Sequence, residues 1–228
     1  MPNIYLIGDS LTHDYNYECY PQCGMGSIIR GYAKDDVKVL NYSHYGLSTK
    51  SFLAQGRFDP IKKSLNKDDL LIIILGTNDE VRDNLLKYTS KDKEYLENIK
   101  IFCKAAIEIG AKPIVVSSPC KRAFKDGIIQ NVHNGYPEAL INHAIKCNYD
   151  YVDLHRLSME LYQKLGEDET KKFHLIYEKN EYKRYPDGVN DNTHFNYYGA
   201  KMITELFLKN LKNKFSEYNT YFNDVELR

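Results

Sequence analysis

Short runs of apolar residues recur along the chain and alternate with longer amphipathic stretches. The clearest run, Leu70 to Leu75, is apolar at every position, as is typical of a central parallel strand covered on both faces. Further runs rich in apolar and β-branched residues span 3–7, 37–40, 113–118 and 151–154. The pattern predicts five strands, each ending at polar or small residues.

Between these strands, apolar residues return at helical spacing. Six helices are predicted. The first runs through Ile28 and Ile29, the second lies around Ile61 and Leu65, and the third runs from Thr89 and Ser90 to Gly110. The fourth begins at Pro137, the fifth carries Leu157, Leu161 and Leu165 before Gly166, and the sixth begins at Gly199 with Ala200, Ile203, Phe207 and Leu211 on one face. Residues 41–50 are predicted as a loop. Alternating strands and helices without a repeat or a low-complexity linker predict an open parallel sheet between two helical layers, a three-layer α/β/α sandwich.

Polar or small residues that could take part in catalysis follow three of the predicted strands. Ser10 comes just after Gly8, Gly46 lies in the loop after the second strand, and Asn78 follows Gly76. Ligands of open parallel sheets bind outside the carboxyl ends of the strands, so these three residues are expected to meet there. A serine hydroxyl is a weak nucleophile, so Ser10 needs a base and oxyanion donors before it can act. Alone, it could equally be a turn or helix-capping residue.

Asp191 and His194 are candidates for the base and its orienting carboxylate. They are three residues apart, so one turn of chain would bring the carboxylate beside the imidazole. The carboxylate would fix the tautomer and leave the far ring nitrogen free to take the Ser10 proton. Such spacing is common among surface and capping residues, and only its combination with Ser10 and Asn78 favours catalysis.

Gly46 and Asn78 are candidates for the oxyanion hole. Asn78 offers a side-chain amide, Gly46 offers a backbone N–H without a β-carbon in the way, and Ser10 offers its own N–H. Asn78 could also be a turn residue and Gly46 a position with positive φ, and both structural roles are compatible with catalysis.

These blocks together resemble the SGNH, or GDSL, hydrolases, which are named for Ser, Gly, Asn and His in four blocks. Here the blocks read Gly-Asp-Ser-Leu-Thr at 8–12, Asn-Tyr-Ser-His-Tyr-Gly-Leu-Ser at 41–48, Gly-Thr-Asn-Asp at 76–79 and Asp-Asn-Thr-His-Phe at 191–195. The resemblance covers nearly the whole chain. It implies a flavodoxin-like strand order 2-1-3-4-5, one hydrolase domain over residues 1–228, and a serine esterase that needs no cofactor.

Other stretches are similar to one subfamily, the rhamnogalacturonan acetylesterases. They lie at 46–52 with 56–57, at 118–124 and at 136–139. That resemblance implies removal of O-acetyl groups from a pectic or related sugar through an acyl-enzyme. The chain departs from the subfamily in two places, since Thr77 stands where His is frequent and Leu11 where Thr is frequent. Two alternatives remain: a lysophospholipase or thioesterase on the same fold, and a non-catalytic sugar-binding module.

The composition narrows the partners. Lys plus Arg and Asp plus Glu both number 31, which disfavours binding to nucleic acid or to an anionic membrane and favours a neutral substrate or partner. Together with the resemblance, this implies a small-molecule or oligosaccharide acetyl ester as the substrate. The five cysteines form no C-x-x-C pair and the N-terminus lacks a signal-peptide core, so we expect a cytoplasmic protein, or a secreted one if a leader was removed. The histidine spacing predicts no metal site. Of 20 tyrosines, Tyr15, Tyr17 and Tyr20 are best placed to stack on a sugar. The oligomeric state is left open.

Overall fold

The computed structural model describes residues 2–225. Its strands are β1 (Asn3–Gly8), β2 (Lys38–Asn41), β3 (Leu70–Ile74), β4 (Lys112–Val116), β5 (Phe124–Lys125), β6 (Ile128–Ile129), β7 (Asp150–Val152), β8 (His174–Tyr177) and β9 (Val189–Phe195). Its α-helices are α1 (Met25–Tyr32), α2 (Thr49–Ala54), α3 (Phe58–Ser64), α4 (Glu94–Ile109), α5 (Tyr136–Cys147), α6 (Leu154–Lys171) and α7 (Tyr197–Lys214). Two short 3-10 helices span Tyr17–Cys19 and Ser216–Thr220.

The central sheet has five strands in the order β2-β1-β3-β4-β7. Every neighbouring pair in it is parallel. This confirms the predicted strand order 2-1-3-4-5 and the α/β class. The predicted strand bounds hold to within one or two residues, the main shift being that β4 ends at Val116, so that Ser117 and Ser118 lie beyond the strand.

Both faces of the sheet are covered, because successive side chains of a strand point to opposite sides. In β1, Ile4 and Leu6 join one buried cluster, while Tyr5 and Ile7 join the other. The uninterrupted run at residues 70–75 divides in the same alternating way. The first cluster packs under α1, α6 and α7, and the second under α2 to α5. The predicted three-layer sandwich is therefore confirmed.

Two helices differ from the expectation. Helix α2 begins within the stretch predicted as a loop, because the Ser48 and Ser51 side chains form a reciprocal capping box and Phe52 is buried. The first helical segment of α6 ends at Gly166, as predicted, but a second segment follows it directly. Gly166 adopts a non-helical conformation with φ +83°, and helical chain resumes behind it as far as Lys171.

An antiparallel hairpin of β8 and β9 lies outside the central sheet and was not predicted. Its second strand carries Asp191 and His194, and it leads through Asn196 into α7. The Asn196 side chain caps α7 by accepting from the Gly199 N–H at 3.1 Å. Among the described residues, no helix combines the length and the apolar character needed to cross a membrane.

Candidate active site

Ser10 lies in a tight turn at the carboxyl end of β1. A β-carbon on Gly8 would lie only 2.7 Å from the Thr12 hydroxyl, so the turn packs too closely for a side chain there. Asp9 organises the turn: its carboxylate accepts from the Leu11 N–H at 2.9 Å, and its carbonyl accepts from the N–H groups of Thr12 and His13. Burial raises the pKa of Asp9 to about 6. Asp9 therefore supports the loop that presents Ser10.

The imidazole of His194 bridges Ser10 and Asp191. Its Nε2 lies 3.0 Å from Ser10 Oγ, and its Nδ1 lies 2.7 Å from Asp191 Oδ2. Because a carboxylate only accepts, Nδ1 carries the proton and Nε2 of the neutral ring faces the serine hydroxyl. The His194 side chain is 30% exposed, so solvent and a large substrate can reach it. The three residues thus have the geometry of a nucleophile, a base and an orienting acid.

A β-bulge brings Asp191 and His194 together. Leu175 pairs with Asp191 but the adjacent His174 pairs with Phe195, so residues 192–194 bulge out of the β8–β9 ladder. Asp191 Oδ1 accepts from the backbone N–H groups of Thr193 and His194, at 2.8 and 3.0 Å. The carboxylate thereby fixes both the backbone and the ring of His194.

The charges of this pair shift both pKa values. Burial alone would lower the pKa of His194, but the hydrogen bond and the charge of Asp191 raise it above its ordinary value. Burial alone would raise the pKa of Asp191, but the hydrogen bonds and charge of His194 bring it well below the ordinary range. The native pair therefore favours a charged imidazolium beside a charged carboxylate, the state that forms when His194 accepts a proton.

Two buried residues, His174 and Arg122, form hydrogen bonds to residues of the bulge. Neither was assigned a role from the sequence. His174 lies 3.1 Å from the His194 carbonyl through Nδ1 and 2.8 Å from the Tyr162 hydroxyl through Nε2. Since a carbonyl only accepts, His174 is protonated on Nδ1, and burial lowers its pKa to about 4. Arg122 donates to the Asn192 side chain at 2.7 Å and to the Glu167 carbonyl. Only the resemblance of residues 118–124 to an esterase stretch pointed to Arg122.

The predicted oxyanion donors sit on loops that contact one another. Asn78 donates one amide hydrogen to the Leu47 carbonyl at 3.1 Å, which leaves its second amide hydrogen available. Within residues 2–225, neither the Ser10 N–H nor the Gly46 N–H has a hydrogen-bond acceptor. Gly46 has φ +72°, a conformation that favours glycine. Three donors are therefore free on the segments that border Ser10.

Asp79 joins the two loops that carry Gly46 and Asn78. Its carboxylate accepts from the N–H and hydroxyl of Thr49 and from the Thr89 hydroxyl. Burial raises the pKa of Asp79 to about 7. This buried group fixes the start of α2 against the loop after β3.

Lys87 lies directly over Gly46. A side-chain carbon placed on Gly46 would lie 3.0 Å from the Lys87 ammonium nitrogen. Lys87 is half-buried, yet in the described part of the chain its ammonium has no carboxylate within 4.0 Å and no hydrogen bond. The free donors on Ser10, Gly46 and Asn78 are therefore accompanied by an uncompensated positive charge.

The remaining sequence candidates are distributed around this site. Tyr15 donates from its hydroxyl to the Ser10 carbonyl at 3.1 Å, whereas Tyr17 and Tyr20 are exposed. The five cysteines are free thiols. Across residues 2–225 no group of three or more His, Cys, Asp or Glu side chains is arranged to hold a metal ion.

The chain is similar to known ester hydrolases. The model of the GDSL-like lipase/acylhydrolase family matches residues 6–202. Rhamnogalacturonan acetylesterase RhgT of Bacillus subtilis is 30% identical over 210 residues, which are 92% of this chain and 89% of that protein. The probable rhamnogalacturonan acetylesterase YesY of the same organism is 28% identical over 210 residues, 92% of each protein.

Solved structures agree on the fold. The crystal structure of YxiM from Bacillus subtilis matches with a TM-score of 0.80 at 22% identity, over 93% of this chain but only 56% of that longer one. A catalytic mutant of an acetylxylan esterase from Geobacillus stearothermophilus matches with a TM-score of 0.64 at 16% identity, over 100% of this chain and 97% of that one.

Proposed function

Because this chain belongs to the GDSL-like lipase/acylhydrolase family and is a carboxylic ester hydrolase, we propose that Ser10, His194 and Asp191 are its catalytic triad. The observation that carries this proposal is the hydrogen-bonded line from Ser10 Oγ through both nitrogens of His194 to Asp191, with distances of 3.0 and 2.7 Å. Residues 1–228 would act as one hydrolase domain, since Ser10, Gly46 and Asn78 lie on loops at one end of the sheet and the bulge of β9 brings His194 to Ser10 there.

The proposed reaction proceeds through an acyl-enzyme. Ser10 Oγ attacks the ester carbonyl carbon while its proton passes to Nε2 of His194. The N–H groups of Ser10, Gly46 and Asn78 receive the oxyanion. The bond from the acyl carbon to the sugar oxygen then breaks, and that oxygen takes the proton from His194. A water molecule then attacks the acyl carbon while its proton passes to His194. The bond from that carbon to Ser10 Oγ breaks, Oγ takes the proton from His194, and acetate leaves.

We assign as substrate an acetylated oligosaccharide that carries galacturonate. Two similar proteins bear the name rhamnogalacturonan acetylesterase, one of them as a probable function. Lys87 supports an acidic sugar, because its unpaired ammonium over Gly46 would attract a carboxylate on the sugar that carries the ester or on the next one. A xylan chain of neutral sugars would gain nothing from this charge.

One observation favours a second candidate, an esterase for longer acyl chains. Leu85 and Leu86 are 76% and 80% exposed in the loop that carries Lys87. Such side chains could contact an aliphatic acyl chain.

Chain-length preference separates the two candidates. We would measure kcat/KM for 4-nitrophenyl acetate, butyrate and octanoate, and then acetate release from acetylated rhamnogalacturonan and xylan oligosaccharides. We expect kcat/KM to be higher for 4-nitrophenyl acetate than for the octanoate, since each methylene that stays unburied forfeits about 0.8 kcal/mol of binding. We also expect faster acetate release from the rhamnogalacturonan oligosaccharides than from the xylan oligosaccharides. Octanoate preference would favour the second candidate, and xylan preference would keep the mechanism but overturn the sugar.

The role of Lys87 has its own test. Lys87→Gln should lower kcat/KM on the galacturonate substrate by about two- to fivefold, the usual value of one solvent-accessible ion pair. It should leave 4-nitrophenyl acetate unchanged. Arg82→Gln is the matched control, because Arg82 is an exposed cation of the same loop. An equal loss in both variants, or on both substrates, would argue against a specific carboxylate contact.

A further inference from the structure

A cavity of about 420 Å³ lies beside the hairpin that carries Asp191 and His194. Its walls include Tyr20, Tyr177, Tyr182, Asn196, Tyr197 and Tyr198. We refer to the space between these residues as the tyrosine groove. Its size falls in the range of about 300–1,000 Å³ that is common for small-molecule sites.

The tyrosines are partly stacked and partly open. Tyr182 lies 4.3 Å from Tyr177 and 5.7 Å from Tyr20, measured between ring centroids. Tyr20 is 61% exposed and Tyr198 is 70% exposed. Tyr20 and Tyr182 also line a second cavity, of about 550 Å³, together with Tyr17 and Arg184. The two cavities therefore share a wall of aromatic rings, which extends the surface available to a long ligand.

The groove is built from the segments that follow the proposed nucleophile and the proposed base. Asn196 comes two residues after His194, about 7 Å further along extended chain. Cys23 N–H donates to the Phe195 carbonyl at 2.9 Å, and Arg184 donates to the Glu18 carbonyl at 3.2 Å. These bonds fix the segment after Ser10 against the β8–β9 hairpin. The groove therefore borders the strand that carries His194 and the segment that follows Ser10.

The chemistry of the lining suits a ligand rich in hydroxyl groups. Tyrosine rings offer flat apolar faces and a hydroxyl at the edge, which suits the C–H faces and hydroxyls of a sugar ring. Four charged residues also line the groove, two of each sign (Asp168, Glu181, Lys171 and Lys172), and Lys171 pairs with Asp168 at 2.8 Å. Asn196 is held in place by donating to the Tyr177 hydroxyl at 3.0 Å. The formal charges of the lining residues thus sum to zero, which gives the groove no preference for a ligand of one sign.

We infer that the tyrosine groove binds the sugar units that flank the acetylated unit of the same oligosaccharide. This inference rests on the proposed function and adds a second site to it. Ester cleavage would take place at Ser10, while the groove would hold the remainder of the carbohydrate chain. Efficiency would then rise with the length of the oligosaccharide.

The test compares substrates of different length in groove variants. Tyr182→Ala with Tyr198→Ala should lower kcat/KM about tenfold on an acetylated hexasaccharide, since both substitutions remove an aromatic face on which a sugar ring would stack. It should change 4-nitrophenyl acetate and an acetylated monosaccharide by less than about twofold. The single variant Tyr198→Ala changes only an exposed position, so it can be tested even if the double variant does not fold. Tyr182→Phe with Tyr198→Phe should restore most of the efficiency, and Ile107→Ala, an exposed apolar residue of α4, is the control for surface truncation.

A binding measurement gives a readout besides activity. Calorimetry with the deacetylated hexasaccharide should detect binding to the unaltered protein and a matching loss in the alanine variants. Equal kcat/KM in all variants on the hexasaccharide, or unchanged calorimetry, overturns the inference. A change of oligomeric state in the alanine variants by sedimentation also overturns it, because the groove would then be an interface. If the unaltered protein did not hydrolyse 4-nitrophenyl acetate, the proposed function would be refuted instead.

Discussion

The guanidinium of Arg122 donates a hydrogen bond of 2.7 Å to the side chain of Asn192, the residue directly after Asp191. The Arg122 backbone N–H also donates to the Asn192 carbonyl at 2.8 Å. Through further bonds to Thr170 and to the Glu167 carbonyl, this buried cation joins the second part of α6 to the bulge of β9. The position of His194 therefore depends on a residue about 70 positions away in the sequence.

Arg122→Met should lower both stability and kcat. The methionine would fill part of the space but leave acceptors on Asn192, Thr170 and Glu167 without their donor, at a cost of about 1–3 kcal/mol in the free energy of unfolding. Urea denaturation and steady-state kinetics on 4-nitrophenyl acetate check this. Arg156→Met is the control, because Arg156 is an exposed arginine of α6, the helix that Arg122 contacts. Unchanged kcat in a measurably destabilised Arg122 variant would separate Arg122 from the positioning of His194.

The pH dependence of activity should follow His194. Only the neutral imidazole can accept the Ser10 proton, so activity should rise with pH through a pKa above the ordinary histidine value. Asp191→Asn removes the charge that raises this pKa, so the acid limb of kcat/KM should move to lower pH while kcat falls by about 10⁴. A pH-rate profile of the residual activity measures both effects. An acid limb that stays in place would contradict the proposed pair.

Asn78→Ala should lower kcat by about 10² to 10³, the usual loss for one oxyanion donor, with a smaller effect on KM. The variant also loses the bond from Asn78 to the Leu47 carbonyl, so thermal unfolding must be measured beside the kinetics. Asn84→Ala, in the next turn of the same loop, is the control for a general loosening of that segment. Unaltered kcat would remove Asn78 from the oxyanion hole.

Asp79 should make stability depend on pH. Its folded-state pKa of about 7 lies above that of an unfolded aspartate, so between about pH 4 and 7 the folded state binds more protons. The stabilisation from this carboxyl is thus present at low pH and is lost as the pH rises. Relative to the unaltered protein, Asp79→Asn should gain stability with rising pH over this window, by up to about 1.4 kcal/mol per pH unit. Denaturation at pH 4.5, 5.5 and 6.5 checks the sign, with Asp83→Asn as the exposed control, and a constant difference would refute the raised pKa.

The central sheet was predictable because its signal is local. The unbroken apolar run at residues 70–75 and the short apolar runs around it identify strands by themselves, and the strand order came from the family resemblance. The β8–β9 hairpin was not predictable in this way. Strand β9 is polar at nearly every position and has Phe195 as its one fully buried residue, so pairing with β8 determines its structure.

The residues of the site also divide into those with a local signal in the sequence and those positioned by tertiary contacts. Ser10, Gly46, Asn78, Asp191 and His194 stand in recognisable blocks, and the structure brings Ser10, Asp191 and His194 into hydrogen-bonding contact. His174 reaches the site only through tertiary contacts, which leave no pattern in the sequence around it. Arg122 also acts through tertiary contacts, and its only signal in the sequence is the resemblance of residues 118–124 to an esterase stretch. Lys87 belongs to the same group, since its position over Gly46 depends on how two loops pack.

The most direct test of the account is the identity of the residue that forms the acyl-enzyme. The protein would be treated with an alkyl fluorophosphonate, digested and analysed by mass spectrometry, with Ser10→Ala as the matched control. We expect one adduct on Ser10, complete loss of activity in parallel with labelling, and an unlabelled, folded Ser10→Ala protein. Labelling of any other residue in step with inactivation, or esterase activity retained by Ser10→Ala, would contradict the account.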